Sequence, residues 1–269
     1  MKVNSGLEMT IQRELLYIEK QEQKLARLAQ KSKPGWKEEL ETKIPEKVRV
    51  NLEKAFIKAF SIIFKYGDSM IEKGIDKDMI LKEYEEHDYA VRLGHTRKDL
   101  KKLRRDAGTA DMKNMAVTSA EGIGLGILGI GLPDIIVFLG MLLKGVYETS
   151  LRYGFRYEDE KEKVLILKMM QASLSRGGEW EANNREVDAM LCSRNMESSH
   201  GLLKKQIEET GKAFAVDMLM LKFIQGLPVV GIVGGAANPV YYRRVLRYVR
   251  LKYYKRYLLR GREADEKGL

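Results

Sequence analysis

Glu121 and Asp134 are the carboxylates best placed for chemistry, because they flank an almost charge-free arm. A carboxyl beside apolar surface can hold a raised pKa and act as an acid or base. Both residues also have a structural reading. Asp134 follows Pro133 in what would be a first helical turn, where free N–H groups and the helix dipole favour an acid, and Glu121 can pair with Arg92, Arg104 or Arg105. Capping and pairing are the expected roles; a hydrolase or lipid-modifying enzyme using Glu121 and Asp134 is the alternative. Gly124-Leu-Gly-Ile-Leu-Gly129 matches GxGxxG, yet no strand precedes it, so close packing explains the glycines better than a dinucleotide does. His87 and Asp88 are adjacent and point to different helix faces, and Cys192 and His200 lack a nucleophile's context. Histidines at 87, 95 and 200 with one cysteine offer no zinc spacing, so neither a metal nor a cofactor is expected. The methionines at 169, 170, 190, 196, 218 and 220 read as core filler, with an adaptable amphiphile pocket as the other reading.

A second chemistry is that of cations and phenols. Residues 243–262 carry nine Lys or Arg and no acid, and account for most of the net charge of +10. Six of the 13 tyrosines lie in or just before that segment, at 241, 242, 248, 253, 254 and 257. Cations interleaved with tyrosines suit an anionic membrane surface, where Tyr sits at the interface. They also suit nucleic acid, by phosphate contact and stacking. The expected element is an amphipathic helix with Val245, Leu246, Val249, Tyr242 and Tyr253 as its stripe. Arg243, Arg247, Arg250, Lys252, Lys255 and Arg256, with Tyr248 and Tyr253, would then meet the anionic surface. A solvated basic face on a core helix is the plainer alternative, and nucleic acid is the partner less expected.

The elements that must position these residues are helical almost throughout. Ile11, Leu15, Ile18, Leu25 and Leu28 recur at helical spacing before Lys33-Pro34-Gly35 breaks the pattern. Pro45 opens a helix striped by Leu52, Phe56, Phe60 and Ile63, Asp76 can cap a third to about Leu93, and Thr96 starts a short basic one. Later candidates cover about 158–175, 184–196, 200–225 and 228–260. A hydrophobic fraction of 44% with five prolines excludes a disordered chain. One cysteine excludes an internal disulfide, and the first residues lack a secretory pattern, so a cytoplasmic location is expected.

Residues 122–143 form a 22-residue run whose one charge is Asp134, resembling a membrane span. Its six glycines and Pro133 leave unaided insertion marginal, and Gly131-Leu-Pro133 reads as a helix stop followed by a start. The charge-free arm to Gly131 would rise about 15 Å, half of a hydrocarbon core of about 30 Å. A re-entrant hairpin or a core hairpin fits better than a span. Residues 223–242 are a second charge-free run, and Gly226-Leu-Pro228 repeats the turn. Without gaps, eight of the 23 positions from Gly131 and Gly226 onward are identical, including Tyr147 with Tyr242 and Leu-Arg-Tyr at 151 and 246. Gly131, Pro133, Gly226 and Pro228 are therefore the expected turn residues of two glycine-rich hairpins, whether inherited by duplication or shaped by the same close packing.

Several blocks together resemble the EcsC protein family over roughly residues 35–260. They are Lys43-Ile-Pro-Glu-Lys-Val48, Ala55-Phe-Ile-Lys-Ala-Phe60, Glu121-Gly-Ile-Gly-Leu-Gly126 running to Gly131-Leu-Pro-Asp134, Ser150-Leu-Arg-Tyr-Gly-Phe155, Lys222-Phe-Ile-Gln-Gly-Leu-Pro-Val-Val-Gly231 and Gly234-Gly-Ala-Ala-Asn238. The family's first-described members are encoded beside a bacterial ABC exporter, so the resemblance implies work at the cytoplasmic membrane face, with a membrane transporter as a conceivable partner. No established reaction or ligand comes with it. Pro239 after Asn238 departs from the family pattern and argues against a smooth helix beyond Ala237.

The sequence thus predicts an all-α protein. An N-terminal helix and linker occupy 1–34, one compact domain 35–262 and an acidic tail 263–269. The expected function is non-catalytic: peripheral or re-entrant association at the inner face of the cell membrane, with lipid contact, in support of export or envelope homeostasis.

Overall fold

Local stop and start chemistry sets the helix boundaries. The computed structural model describes residues 4–30, 44–66, 71–72, 74–108, 132–192, 201–225 and 237–266, and these form nine helices with no strand among them. In chain order they are α1 (Asn4–Gln30), α2 (Glu46–Tyr66), α3 (Lys77–Gly94), α4 (97–108), α5 (Leu132–Arg152), α6 (Glu160–Leu174), α7 (Gly177–Cys192), α8 (Leu202–Gln225) and α9 (Ala237–Glu266). Asp76 caps α3, its Oδ1 accepting from the Met79 N–H at 3.0 Å, and His95 closes that helix at φ 51° with its N–H on Val91 O. Thr96 Oγ1 accepts from the Asp99 N–H at 3.3 Å and so caps α4.

Two expectations about prolines resolve differently. Pro133 stands in the first turn of α5, as expected of a helix start. Pro239 does not disturb α9, which runs without a break from Ala237 through Glu266 and into the segment read as an acidic tail. The reason is position: a first-turn proline lacks an N–H that would have had no partner within the helix anyway. Glu121, Gly131, Gly226 and Pro228, with the glycine-rich arms beside them, lie outside the described residues.

The core is organised by two helices. Phe214 of α8 stacks on Phe56 of α2 at 5.7 Å and meets Phe60, Phe138 of α5 and Tyr241 of α9, joining four helices through one ring. Helix α9 packs against α1, α5, α6 and α7. One face of residues 132–143 of the apolar run packs on protein, with Ile135, Phe138, Leu139, Leu142 and Leu143 buried between α5 and its neighbours, while Val137 on the other face is exposed. Among the described residues no helix is long and apolar enough to cross a membrane. Met169, Met170, Met218 and Met220 are buried in the same core. The paired repeat positions share an environment: Tyr147 and Tyr242, Leu151 and Leu246, Tyr153 and Tyr248 are all buried.

Candidate functional site

Helix α9 is not the amphipathic surface helix that its pattern suggests. Tyr241, Tyr242, Tyr248, Tyr253, Tyr254 and Tyr257 are buried, and so are Val245, Leu246, Val249, Leu251 and Leu258, which together cover most of its circumference. Burying so many polar heads is affordable only because other helices supply partners. Tyr253 donates to Glu162 at 2.7 Å, Tyr257 to Asp88 at 2.8 Å, Tyr248 to Asn184 at 2.8 Å and Tyr254 to Glu14 at 3.0 Å. Burial pushes the Tyr241, Tyr248 and Tyr253 hydroxyls well above their ordinary pKa, and the neighbouring carboxylates push the same way.

The six cations singled out in the sequence divide into two sets. Lys252, fully buried, donates to Glu22 of α1 and to Asp188 of α7, and Lys255 lies 3.1 and 3.0 Å from the same two acids. Arg256 Nη1 donates to both oxygens of Glu162 at 2.8 Å and stacks over Phe155. These three hold the fold together. Arg243, Arg247 and Arg250 instead follow one another at i, i+4 and i+7, so they share a different face of α9, and Arg243 and Arg247 are exposed.

That face forms a seam with α1. The two helices run antiparallel: Ile11 lies near Gly261, Glu14 near Tyr254 and Glu22 near Lys252. Two clefts open along it and share Arg247. The wider, of about 460 Å³, lies between Leu25, Leu28 and Ala29 of α1, Trp180 of α7 and Arg243, Arg244 and Arg247 of α9. The narrower, of about 220 Å³, includes Tyr17, Arg104, Arg250 and Tyr254. Among the described residues no carboxylate lines either cleft. A third cleft, beside His95, differs in having an acid, Asp88, in its lining beside Arg92 and Arg260.

The wall of the wider cleft is built before any ligand arrives. Asp217 of α8, its side chain 7% exposed, accepts from Arg176 Nη2 at 2.8 Å and from Arg244 Nη1 on both oxygens at 3.0 Å. Arg244 Nη2 also donates to Leu174 O at 2.8 Å. Two guanidiniums are thus fixed by one carboxylate, and Arg243 and Arg247 add further positive charge. Arg247 has no acidic partner among the described residues. On the far side of the seam Glu14, fully buried, accepts from Arg97 Nε at 2.6 Å and Arg104 Nη1 at 3.0 Å, which positions Arg104 at the narrower cleft.

The other candidates fall elsewhere. Asp134 is half-buried in the first turn of α5, away from the seam. Arg92, Arg104 and Arg105, the cations considered for Glu121, pair with Asp88, Glu14 and Asp106. His87 Nε2 lies 3.2 Å from Asp106, whereas Asp88 turns to Arg92 and Tyr257, so the two neighbours do diverge. Among the described residues no group of three His, Cys, Asp or Glu side chains is placed to hold a metal ion. Sequence reasoning missed Arg176, Trp180 and the acids Glu14 and Glu22. The last two carried a signal, because they fall within the spacing of Ile11, Ile18, Leu25 and Ala29, the face that α1 buries.

Fold and seam together define an all-α protein built on a buried basic, tyrosine-rich helix, with arginines concentrated along one groove. The EcsC protein family model matches residues 10–258, and the chain belongs to that family. The match carries the resemblance seen from residue 35 onward back into α1. No curated protein and no solved structure matches the chain.

Proposed function

We propose that this protein is a non-catalytic membrane-surface protein that binds anionic lipid on the cytoplasmic side, in support of export or envelope homeostasis. The observation that supports this reading is the row Arg243, Arg247 and Arg250 along a seam whose two clefts have no carboxylate among the described residues that line them. Cations along such a seam attract anionic headgroups, at about 1 kcal/mol for each cation near the surface. Lys252, Lys255 and Arg256 contribute to the fold instead, so surface binding rests on half of the six cations singled out in the sequence.

Vesicle co-sedimentation tests the reading. Wild type is expected to pellet with phosphatidylglycerol vesicles and not with phosphatidylcholine vesicles. The triple variant R243Q/R247Q/R250Q should bind about 100-fold more weakly at low salt, with the difference shrinking as salt rises. Equal pelleting of the variant would overturn the assignment. Salt-dependent DNA binding without vesicle binding would favour the nucleic-acid alternative.

A further inference from the structure

We infer that the wider cleft is a stoichiometric site for a phosphate-bearing single-chain amphiphile, its phosphate among Arg243, Arg247 and the Arg176–Arg244 pair and its apolar chain against Leu25, Leu28, Ala29 and Trp180. The inference deepens the surface-association reading and rests on it for the source of the ligand. It adds a defined site for one molecule where surface attraction alone needs none.

Three observations carry it. The cavity, at about 460 Å³, falls within the roughly 300–1,000 Å³ typical of small-molecule sites. Its polar and apolar walls are segregated: guanidiniums come from α9 and the α6–α7 turn, and aliphatic side chains from α1, with Trp180 alongside. That segregation matches an amphiphile and would be wasted on a bare ion. The Arg176 and Arg244 forks are held by Asp217 from behind, while both side chains keep access to solvent, at 19% and 31% exposure. A planar fork already fixed in place presents its remaining N–H groups to a phosphate with little further loss of freedom. Because no described residue of the lining is a carboxylate, a zwitterionic headgroup would place its ammonium among the lining's cations with no acid of that lining to receive it.

Trp180 reports on occupancy, and Trp36 is the other of the two tryptophans. W36F protein is titrated with a short-chain lysophosphatidic acid below its micellar concentration, with lysophosphatidylcholine of the same chain and with inorganic phosphate. A saturable one-to-one change in Trp180 emission is expected with lysophosphatidic acid alone at low concentration, with phosphate competing only at much higher concentration. R247Q should weaken that binding by about tenfold or more, the scale of one hydrogen bond to a charged group. L28E, at a position 51% exposed and so tolerant of a charge, should weaken lysophosphatidic acid binding and leave phosphate competition intact. Circular dichroism melting of both variants establishes that they fold. No saturable change, an equal response to the choline lipid, or phosphate binding as tightly as the amphiphile would each overturn the inference. Monomer binding without vesicle pelleting supports the site and overturns surface association. Pelleting without monomer binding overturns the site and leaves surface association standing.

Discussion

The ε-ammonium of Lys252 donates to Glu22 Oε1 at 2.5 Å, joining α9 to α1 across 230 residues of chain, at a position with no solvent exposure. Asp188 and Lys255 complete a cluster of two cations and two anions. Its balance matters more than any single pair, because an ion left without its counter-ion in the interior is far costlier than a matched pair removed.

Unequal effects are therefore expected from its two ends. E22A leaves two lysines facing one acid and should cost about 3 kcal/mol of stability. K252M unbalances the cluster by the same one charge but removes its one fully buried ion, leaving Lys255 beside two acids that keep contact with water, and should cost about 1 kcal/mol or less. Urea unfolding midpoints decide the order, and a costlier K252M would refute it.

High pH should unfold the protein through its tyrosines. Tyr241, Tyr248 and Tyr253 are raised well above the ordinary value of 10.0, and burial pushes Tyr157 up to about 12. The folded state holds these protons where the unfolded chain releases them, so stability is intact below pH 10 and falls as pH rises beyond it. Phenolate absorbance should show these tyrosines ionising together with the loss of helical circular dichroism, not ahead of it.

Two glycines should respond in opposite directions to alanine. At Gly211 a Cβ would come within 2.6 Å of Ile57 Cγ1 and 3.1 Å of its Cα, forcing α8 away from α2. The resulting overpacking, about 1–3 kcal/mol, should exceed the gain in helix propensity of about 1 kcal/mol. At Gly140 no atom of the described residues lies within 4 Å of the added carbon, so G140A should stabilise α5 by about 0.5–1 kcal/mol. Thermal melts of the two variants check both signs.

Asp134 should act through its charge at the start of α5. D134N keeps the shape, removes the charge and should cost about 0.3–1 kcal/mol at low salt, less at high salt. A variant of unchanged stability at both salt concentrations would remove this role.

What the sequence made legible is what depends on neighbours in the chain. The Asp76 and Thr96 caps and the Pro133 start involve residues within three positions of one another, and local chemistry determines them. The burial of α9 depends on Glu14, Glu22, Glu162, Asp188 and Asp217, which stand on four other helices, and no window around residue 250 contains that information. The seam was half legible for the same reason. Arg243, Arg247 and Arg250 follow from one helical period, whereas Arg176, Trp180 and the wall from α1 are brought there by tertiary packing.

The central position of α9 also fixes the order in which the molecule can be completed. Glu22, Glu162 and Asp188 pair with Lys252, Lys255 and Arg256 of this helix and precede it in the chain, so a nascent chain emerging from the ribosome displays these three acids before those cations exist. Helices α1 to α8 can form locally during that interval, but their interior faces carry carboxylates that repel one another and keep water between them. Closure must wait for α9 to insert, which makes the last-translated helix the keystone of assembly and leaves the partly made domain open to chaperones until it arrives.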